Sequence, residues 1–246
     1  MTQTKSKKQK KITPPTPKNK GNILLTWCDG GLTDGKFTEG LVYTLLTTKT
    51  VPVASAMRIQ GNQIGRQRQV AFDHWLDKTD YDWTLWVDSD IELTREVLEK
   101  LWAIADVHDR PVVSGVYFIS KENEQSKMTP FPALFNFTED PHKIQYLHPL
   151  PKDAIIQVGC AGFGLLLIHR SVGEAMRSHH APRRVFFNET GAGEEFISED
   201  IHFFRALYDT RIPVYAHTGA VVKHMKRFSY DVEYYKLFWE NYAAKE

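Results

Sequence analysis

Asp88-Ser89-Asp90 follows directly on the strand-forming run Trp83-Thr84-Leu85-Trp86-Val87. In open α/β sheets, ligands sit beyond the carboxyl ends of the strands. Residues i and i+2 of an extended chain face the same side. Two carboxylates placed that way repel each other unless a cation stands between them. Mg²⁺ and Mn²⁺ favour oxygen ligands and commonly use one or two carboxylates together with substrate phosphates. The pair therefore predicts a divalent ion held by Asp88 and Asp90, with a diphosphate on the ion. The plain alternative is a turn capped by these residues ahead of the next helix, because Asp-x-Asp is a short pattern that recurs by chance.

Two further groups could do chemistry. Glu199 and Asp200 open the amphipathic run EDIHFFRAL. Negative charge there suits a helix N-terminus. A carboxylate there, Asp200 above all, could also act as general base on an acceptor hydroxyl whose oxygen attacks a sugar carbon. Downstream, His217 and His224 offer imidazoles that suit Mn²⁺ and related ions. His224 is favoured because it follows the strand-like Ala220-Val221-Val222, at that strand's carboxyl end. Lys223, Lys226 and Arg227 beside it could neutralise phosphates, or could form no more than a solvated basic strand end.

These residues need a scaffold, and the sequence supplies one. Residues 21–31 read as a short buried strand ending in a Gly-rich turn. Residues 39–49 read as a helix with Leu41, Val42, Leu45 and Leu46 inward. Residues 51–59 are a second strand. Residues 64–78 form a helix with Ile64, Val70, Ala71, Trp75 and Leu76 inward. Residues 82–90 are a third strand, continuous in its apolar character as expected when both faces of a sheet are covered. Thr94 should cap a helix whose apolar face is Val97, Leu98, Leu101, Trp102 and Ile104. A fourth strand spans 111–119. Residues 121–154, with five prolines, read as loops with short strands. Then come a strand, a glycine turn and a strand over 154–170, helices over 171–180 and 198–210, a last strand or strand pair over 214–224, and an aromatic-rich helix over 230–245. The early strand–helix alternation implies a largely parallel sheet with helices on both faces, and the second half departs from it.

Bulk composition bounds the rest. The chain has 246 residues, 42% hydrophobic and 25% charged, which is ordinary for one sizeable soluble α/β domain. The net charge of +1 conceals seven lysines and no acid in residues 1–20, which leaves −6 on the remainder. With three prolines and little apolar surface, residues 1–20 should be a disordered Lys-rich tail, either solubilising or a polyanion-binding arm. Two cysteines make neither a disulfide framework nor a zinc site, and a reducing cytoplasm is the expected location. No apolar run is long enough to span a bilayer, the most apolar being the 14 residues 155–168.

Taken in order, the segments GRQRQVAFDHWL, WTLWVDSDIELTREVLEKL, GCAGFGLLLIHRSV, EEFISEDIHFFRAL and VVKHMK resemble a GT-A-fold glycosyltransferase of the family-2-like type, phage or bacterial and soluble. The resemblance implies an α/β, Rossmann-like, mixed and mostly parallel sheet flanked by helices, in a single domain over residues 21–246. It also implies Mn²⁺ or Mg²⁺ on Asp88, Asp90 and His224, and a nucleotide-sugar donor with UDP the commonest nucleotide. Glu199 and Asp200 then fall at the catalytic carboxylates of inverting members. Trp27 and Asp29 fall where the nucleotide base is held. Arg66 and Arg68 would contact the diphosphate or organise Asp88, as Lys223 and Lys226 would on the far side. Gly162, Phe163 and Gly164 fall in the segment that lines the sugar and acceptor pocket, where Gly162 would let backbone approach the substrate.

The acceptor stays open, and so does the oligomeric state. The lysine tail favours nucleic acid, such as a hydroxylated base in phage DNA, flipped out or unpaired. A protein or a surface polysaccharide is the other acceptor class. A nucleotidyltransferase is an alternative, although CDGGLTDGK is a poor match to its Gly-rich basic loop. A non-catalytic nucleic-acid or carbohydrate-binding module is another, but it leaves the carboxylates at element ends unexplained.

Overall fold

The computed structural model describes residues 20–122, 128–139, 143–191 and 196–226, with Val232 and Lys236. The Lys-rich tail expected over 1–20 lies outside the described residues except for Lys20. Most of the expected C-terminal aromatic helix does too, although Val232 and Lys236 are helical.

Seven strands form the central sheet: β1 (Ile23–Asp29), β2 (Val53–Gln60), β3 (Trp83–Val87), β5 (Val112–Val116), β10 (Ile155–Val158), β12 (Leu165–His169) and β13 (Val214–Val221). Their spatial order is β10-β13-β5-β12-β3-β1-β2. β1, β2, β3, β5 and β13 run one way, while β12 and β10 run against their neighbours. The sheet is thus mixed but mostly parallel. Its carboxyl edge gathers the ends of five strands and the chain that enters β12.

Five helices cover the sheet: α1 (Gly35–Thr47), α2 (Ile64–Lys78), α3 (Arg95–Ile104), α4 (Arg170–His179) and α5 (Glu199–Asp209). Strand residues alternate between the two faces. Leu24, Cys28, Trp86, Leu166 and Ile168 pack toward α2, α4 and α5, whereas Ile23, Leu25, Leu85, Val87, Leu165 and Leu167 pack toward α1 and α3. Every residue of β3 is buried, as its continuous apolar run predicted.

Smaller pieces ornament the carboxyl edge. β4 (Ile91–Glu92) pairs with β14 (Lys223–His224). β6 (Phe118–Glu122) and β7 (Met128–Pro132) form a hairpin. β11 (Cys160–Ala161), β8 (Leu134–Phe137) and β9 (Ile144–Tyr146) make a three-stranded sheet. The short strands foreseen in 121–154 are β7, β8 and β9. Among the described residues, no helix is long and apolar enough to cross a membrane.

Two helix faces differ from expectation. In α1 the buried residues are Phe37, Leu41 and Thr44, while Val42 and Leu46 are exposed. Thr44 wins the inner position because its hydroxyl donates to the Leu93 carbonyl at 3.2 Å, so a polar residue can be buried at no cost in lost bonds. In α2 the buried residues are Gln67, Arg68, Ala71, Phe72 and Trp75, and Val70 is exposed. An apolar count rotates this helix wrongly because two of its inward residues are polar. Thr94 does cap α3, accepting the Val97 N–H at 3.3 Å.

Candidate active site

The inward polar face of α2 explains itself at the carboxyl edge. Gln67 Nε2 donates to the carbonyls of Asp29 at 2.9 Å and Ile59 at 2.8 Å, tying the ends of β1 and β2 together. One residue on, the guanidinium of Arg68 is buried among three carboxylates. Its NH1 group donates to Glu199 Oε1 at 2.7 Å and to Asp200 Oδ1, and its NH2 group to Asp88 Oδ1 at 3.1 Å. The ring of Phe163 lies 5.0 Å beneath it.

Three carboxylates around one guanidinium leave the cluster net negative, with consequences for protonation. Burial works against the charge on Arg68, but Asp200, Asp88 and Glu199 outweigh it and raise its pKa. Burial pushes the Asp200 carboxyl up to about 7; Arg68 opposes the rise, and Glu199 and Asp88 add to it. Asp200 Oδ2 also accepts the Phe163 N–H at 3.2 Å, and its side chain keeps 19% of its surface open to solvent. A carboxylate poised near neutrality with an open side is suited to taking a proton.

The two aspartates of the opening motif do not share a strand face. β3 ends at Val87, and Asp88–Ile91 is a turn closed by the Ile91 N–H on the Asp88 carbonyl at 3.0 Å. The turn separates the carboxylates. Asp88 faces Arg68, and Asp90 faces β14. The expected side-by-side arrangement is therefore corrected, because a turn has no period-two alternation. Asp90 Oδ2 lies 3.1 Å from His224 Nε2 and 2.7 Å from Lys226 Nζ. Burial would raise the Asp90 carboxyl, but the bonds from His224 and Lys226 prevail and hold it at about 2.

Among the described residues, no three His, Cys, Asp or Glu side chains converge into a metal cage. The Asp90–His224 pair nevertheless fits a cation. His224 Nδ1 meets the Phe118 carbonyl at 2.9 Å, and a carbonyl can only accept, so Nδ1 carries a proton. Nε2 then either donates to Asp90 as an imidazolium or presents its lone pair, with the Asp90 oxygen, to a shared cation. Anchoring the far nitrogen on a carbonyl is how metal-binding imidazoles are usually oriented.

The other expected residues are distributed unevenly. Asp29 is buried, but Oδ1 accepts from the Gly31 N–H and Arg58, both at 2.7 Å, and Oδ2 from Arg58 at 2.6 Å and Trp27 Nε1 at 3.1 Å. A carboxylate offers about four lone-pair sites. All are taken, so Asp29 organises the Gly-rich turn and has no acceptor left for a nucleotide. The hydrogen bond with Arg58 lowers its pKa. Trp27 lies on the same face as Asp29, toward α1, its ring 5.9 Å from Phe37. Arg66 is exposed, a residue of α2's outer side, and borders a groove of about 520 Å³ with Gln60, Gly61 and Gln67. Lys223 points away from the aspartates and pairs with Glu92 at 3.0 Å. His217 accepts the Gly219 N–H at 3.1 Å, on β13. Arg227 lies outside the described residues.

Gly162, Phe163 and Gly164 are buried, and Phe163 packs against Trp86, Phe187 and Phe203. A Cβ at either glycine would collide with the ring of Tyr117, so the space reserved for substrate in the sequence reading belongs to that ring. Tyr117, Arg58 and Gln67 were not foreseen. No local pattern marks them, although two polar residues on the inner face of an otherwise apolar helix were a usable signal for Gln67. A groove of about 820 Å³ between Asn136, Gln157, Tyr208 and Arg211 opens at the opposite edge of the sheet, away from these carboxylates.

The family model described as glycosyl transferase family 2 matches residues 58–166, from the end of β2 into β12. Over that stretch the chain is similar to family-2 glycosyltransferases. The matched stretch contains Arg68, Asp88 and Asp90 as well as Gly162–Gly164. Among solved structures, A197 from STIV is similar at 18% identity and a TM-score of 0.53, over 84% of this chain and 86% of that one, which shows a shared fold. GalNAc-T7 with UDP, GalNAc and Mn²⁺ aligns at 9% identity and TM-score 0.49, over 85% of this chain and 44% of that one. A CMP:2-keto-3-deoxy-manno-octonic acid synthetase complexed with CTP aligns at 13% identity and TM-score 0.43, over 92% and 100%. Neither of these last two is close enough to assign a property to this chain. Among curated proteins, none matches the chain.

Proposed function

We propose that this chain moves a sugar from a nucleotide-sugar donor, with UDP the expected nucleotide, to an acceptor hydroxyl with inversion. The observation that carries the reading is the meeting of Asp88, Glu199 and Asp200 around buried Arg68 at the sheet's carboxyl edge. Asp200, with its carboxyl near 7 and an open side, takes the acceptor's proton as the oxygen attacks. Arg68 and the Phe163 N–H hold Asp200 in place. Asp90 and His224 would hold Mn²⁺ or Mg²⁺, which when bound supplies charge stabilisation to the leaving diphosphate. Lys226, already at the Asp90 carboxylate, is within reach to neutralise a phosphate. The seven lysines of residues 1–20 favour a polyanionic acceptor, such as a hydroxylated base in DNA, over a protein or surface polysaccharide.

The test is thermal stability against a panel of nucleotide sugars, with Mn²⁺, with Mg²⁺ and with chelator. One donor should raise the midpoint in a metal-dependent way through binding linkage, and Asp90→Ala should abolish that rise. A flat response to every donor would overturn the reading.

A further inference from the structure

Tyr117 stands between the two halves of the candidate site, although its hydroxyl belongs to neither. It follows β5 directly and is 5% exposed. Its hydroxyl accepts the Gly164 N–H at 3.2 Å. Its carbonyl accepts the Ala133 N–H at 2.9 Å, and the Ala133 carbonyl accepts the Gly162 N–H at 3.0 Å. Both glycines lack the Cβ that would strike its ring, so ring and segment fit as one unit.

The 162–164 backbone held this way is also a bridge. The Phe163 N–H donates to Asp200 Oδ2 at 3.2 Å, and the Gly164 carbonyl accepts the Asp88 N–H at 3.1 Å. On its other side the Tyr117 ring meets the His224 imidazole edge-on, with centroids 5.1 Å apart at 84°. The next residue, Phe118, supplies the carbonyl that fixes His224 Nδ1.

We propose that Tyr117 is a positioning residue of the transfer reaction: its hydroxyl sets the backbone that spaces Asp88 from Asp200, and its ring sets His224 against Asp90. This rests on the transferase reading above. Tyr117→Phe separates the two parts, keeping the ring while leaving the Gly164 N–H without its acceptor. Donor affinity should stay within about threefold and kcat should fall roughly tenfold, near 1.4 kcal/mol. The groups facing Asp200 are Arg68 from α2, Glu199 beside it, Asp88 from the turn, the Phe163 N–H, the Tyr117 hydroxyl and the Cys160 thiol. Because the Phe163 N–H favours the charged carboxylate, its displacement should move the acid limb of the kcat profile to higher pH. Gly164→Ala, which presses a methyl on the ring from the opposite side, should reproduce the fall in kcat with donor binding retained.

The measurements are donor binding by calorimetry, with kcat and its pH profile per active site, on wild type and both variants. A lowered melting temperature with kcat and acid limb unchanged would make Tyr117 merely structural and overturn the proposal. Wild-type protein that neither binds nor turns over any nucleotide sugar would instead bring down the transferase reading, and this role with it.

Discussion

Helix α2 carries one arginine contact at each end, and the two could hardly differ more. At its C-terminus, Arg170 of α4 donates to the carbonyls of Leu76 at 3.0 Å, Trp75 at 2.9 Å, Thr79 at 2.6 Å and Tyr81 at 3.0 Å. Two of those carbonyls, Trp75 and Leu76, belong to the last turn of α2, and the other two to the chain that leaves it, so one cation ties the helix end to its exit and suits the helix dipole. At its N-terminal end, Arg68 meets three carboxylates and no carbonyl, and its Nε has no partner. One guanidinium closes off dipoles and leaves nothing over. The other collects titratable groups and leaves a surplus of negative charge. The difference separates an arginine that ties helix to loop from one that gathers titratable groups at the sheet's carboxyl edge.

The sharpest way to break the comparison is Arg68→Met. It strands three carboxylates, so stability at pH 7 should drop by about 3–5 kcal/mol, and transfer activity should be lost. Urea unfolding with an activity assay checks both. Next is Asp200→Asn, which should lower kcat by about 10²–10⁴. Its stability should respond to pH in a defined sense. The wild-type Asp200 carboxyl is raised in the folded state, so the folded protein binds the extra proton between the ordinary carboxylate range and about 7. Stability from this group therefore grows as pH falls through 7 toward 4 and is lost above 7. Asp200→Asn should remove that slope, melting higher than wild type at pH 8 and converging with it near pH 4. If the slope survives, burial of Asp200 is not its source.

Arg170→Met should cost up to about 2 kcal/mol and leave kcat of the folded protein intact; a matching loss of kcat would erase the contrast between the two arginines. The smallest effect belongs to Lys226→Met. Its pair with Asp90 is largely exposed, so stability should change by less than about 1 kcal/mol. Freeing the Asp90 oxygen should tighten Mn²⁺ binding a few-fold, read by calorimetry.

The sequence made some of this legible and hid the rest for physical reasons. The parallel run of the first-half strands followed from alternation, and β3 from its unbroken apolar run. Thr94 announced its helix through cap chemistry. Asp88, Glu199 and Asp200 could be placed at element ends, but nothing in their spacing said that one guanidinium would gather them. The contacts Arg68–Glu199 and Arg68–Asp200 join residues 131 and 132 positions apart, beyond any local pattern. The orientations of α1 and α2 were misread because Thr44, Gln67 and Arg68 occupy inward positions that an apolar count awards elsewhere. Asp88 and Asp90 were misread in geometry because the strand stops at Val87, three residues short of the 82–90 reading. Tyr117 stayed hidden because its partners, two glycines, advertise turns rather than a buried ring.

Lys20 fixes where the preceding chain joins the body. Its ammonium donates to the carbonyls of Trp102 and Ala105, each at 2.7 Å, at the end of α3, and its own carbonyl accepts the Trp83 indole N–H at 2.8 Å, at the start of β3. That corner is the foot of the sheet, diametrically across from the carboxylates. A surface, resin or fused partner attached ahead of residue 20 would therefore hold the molecule from behind, with its rim of carboxylates turned outward to whatever flows past.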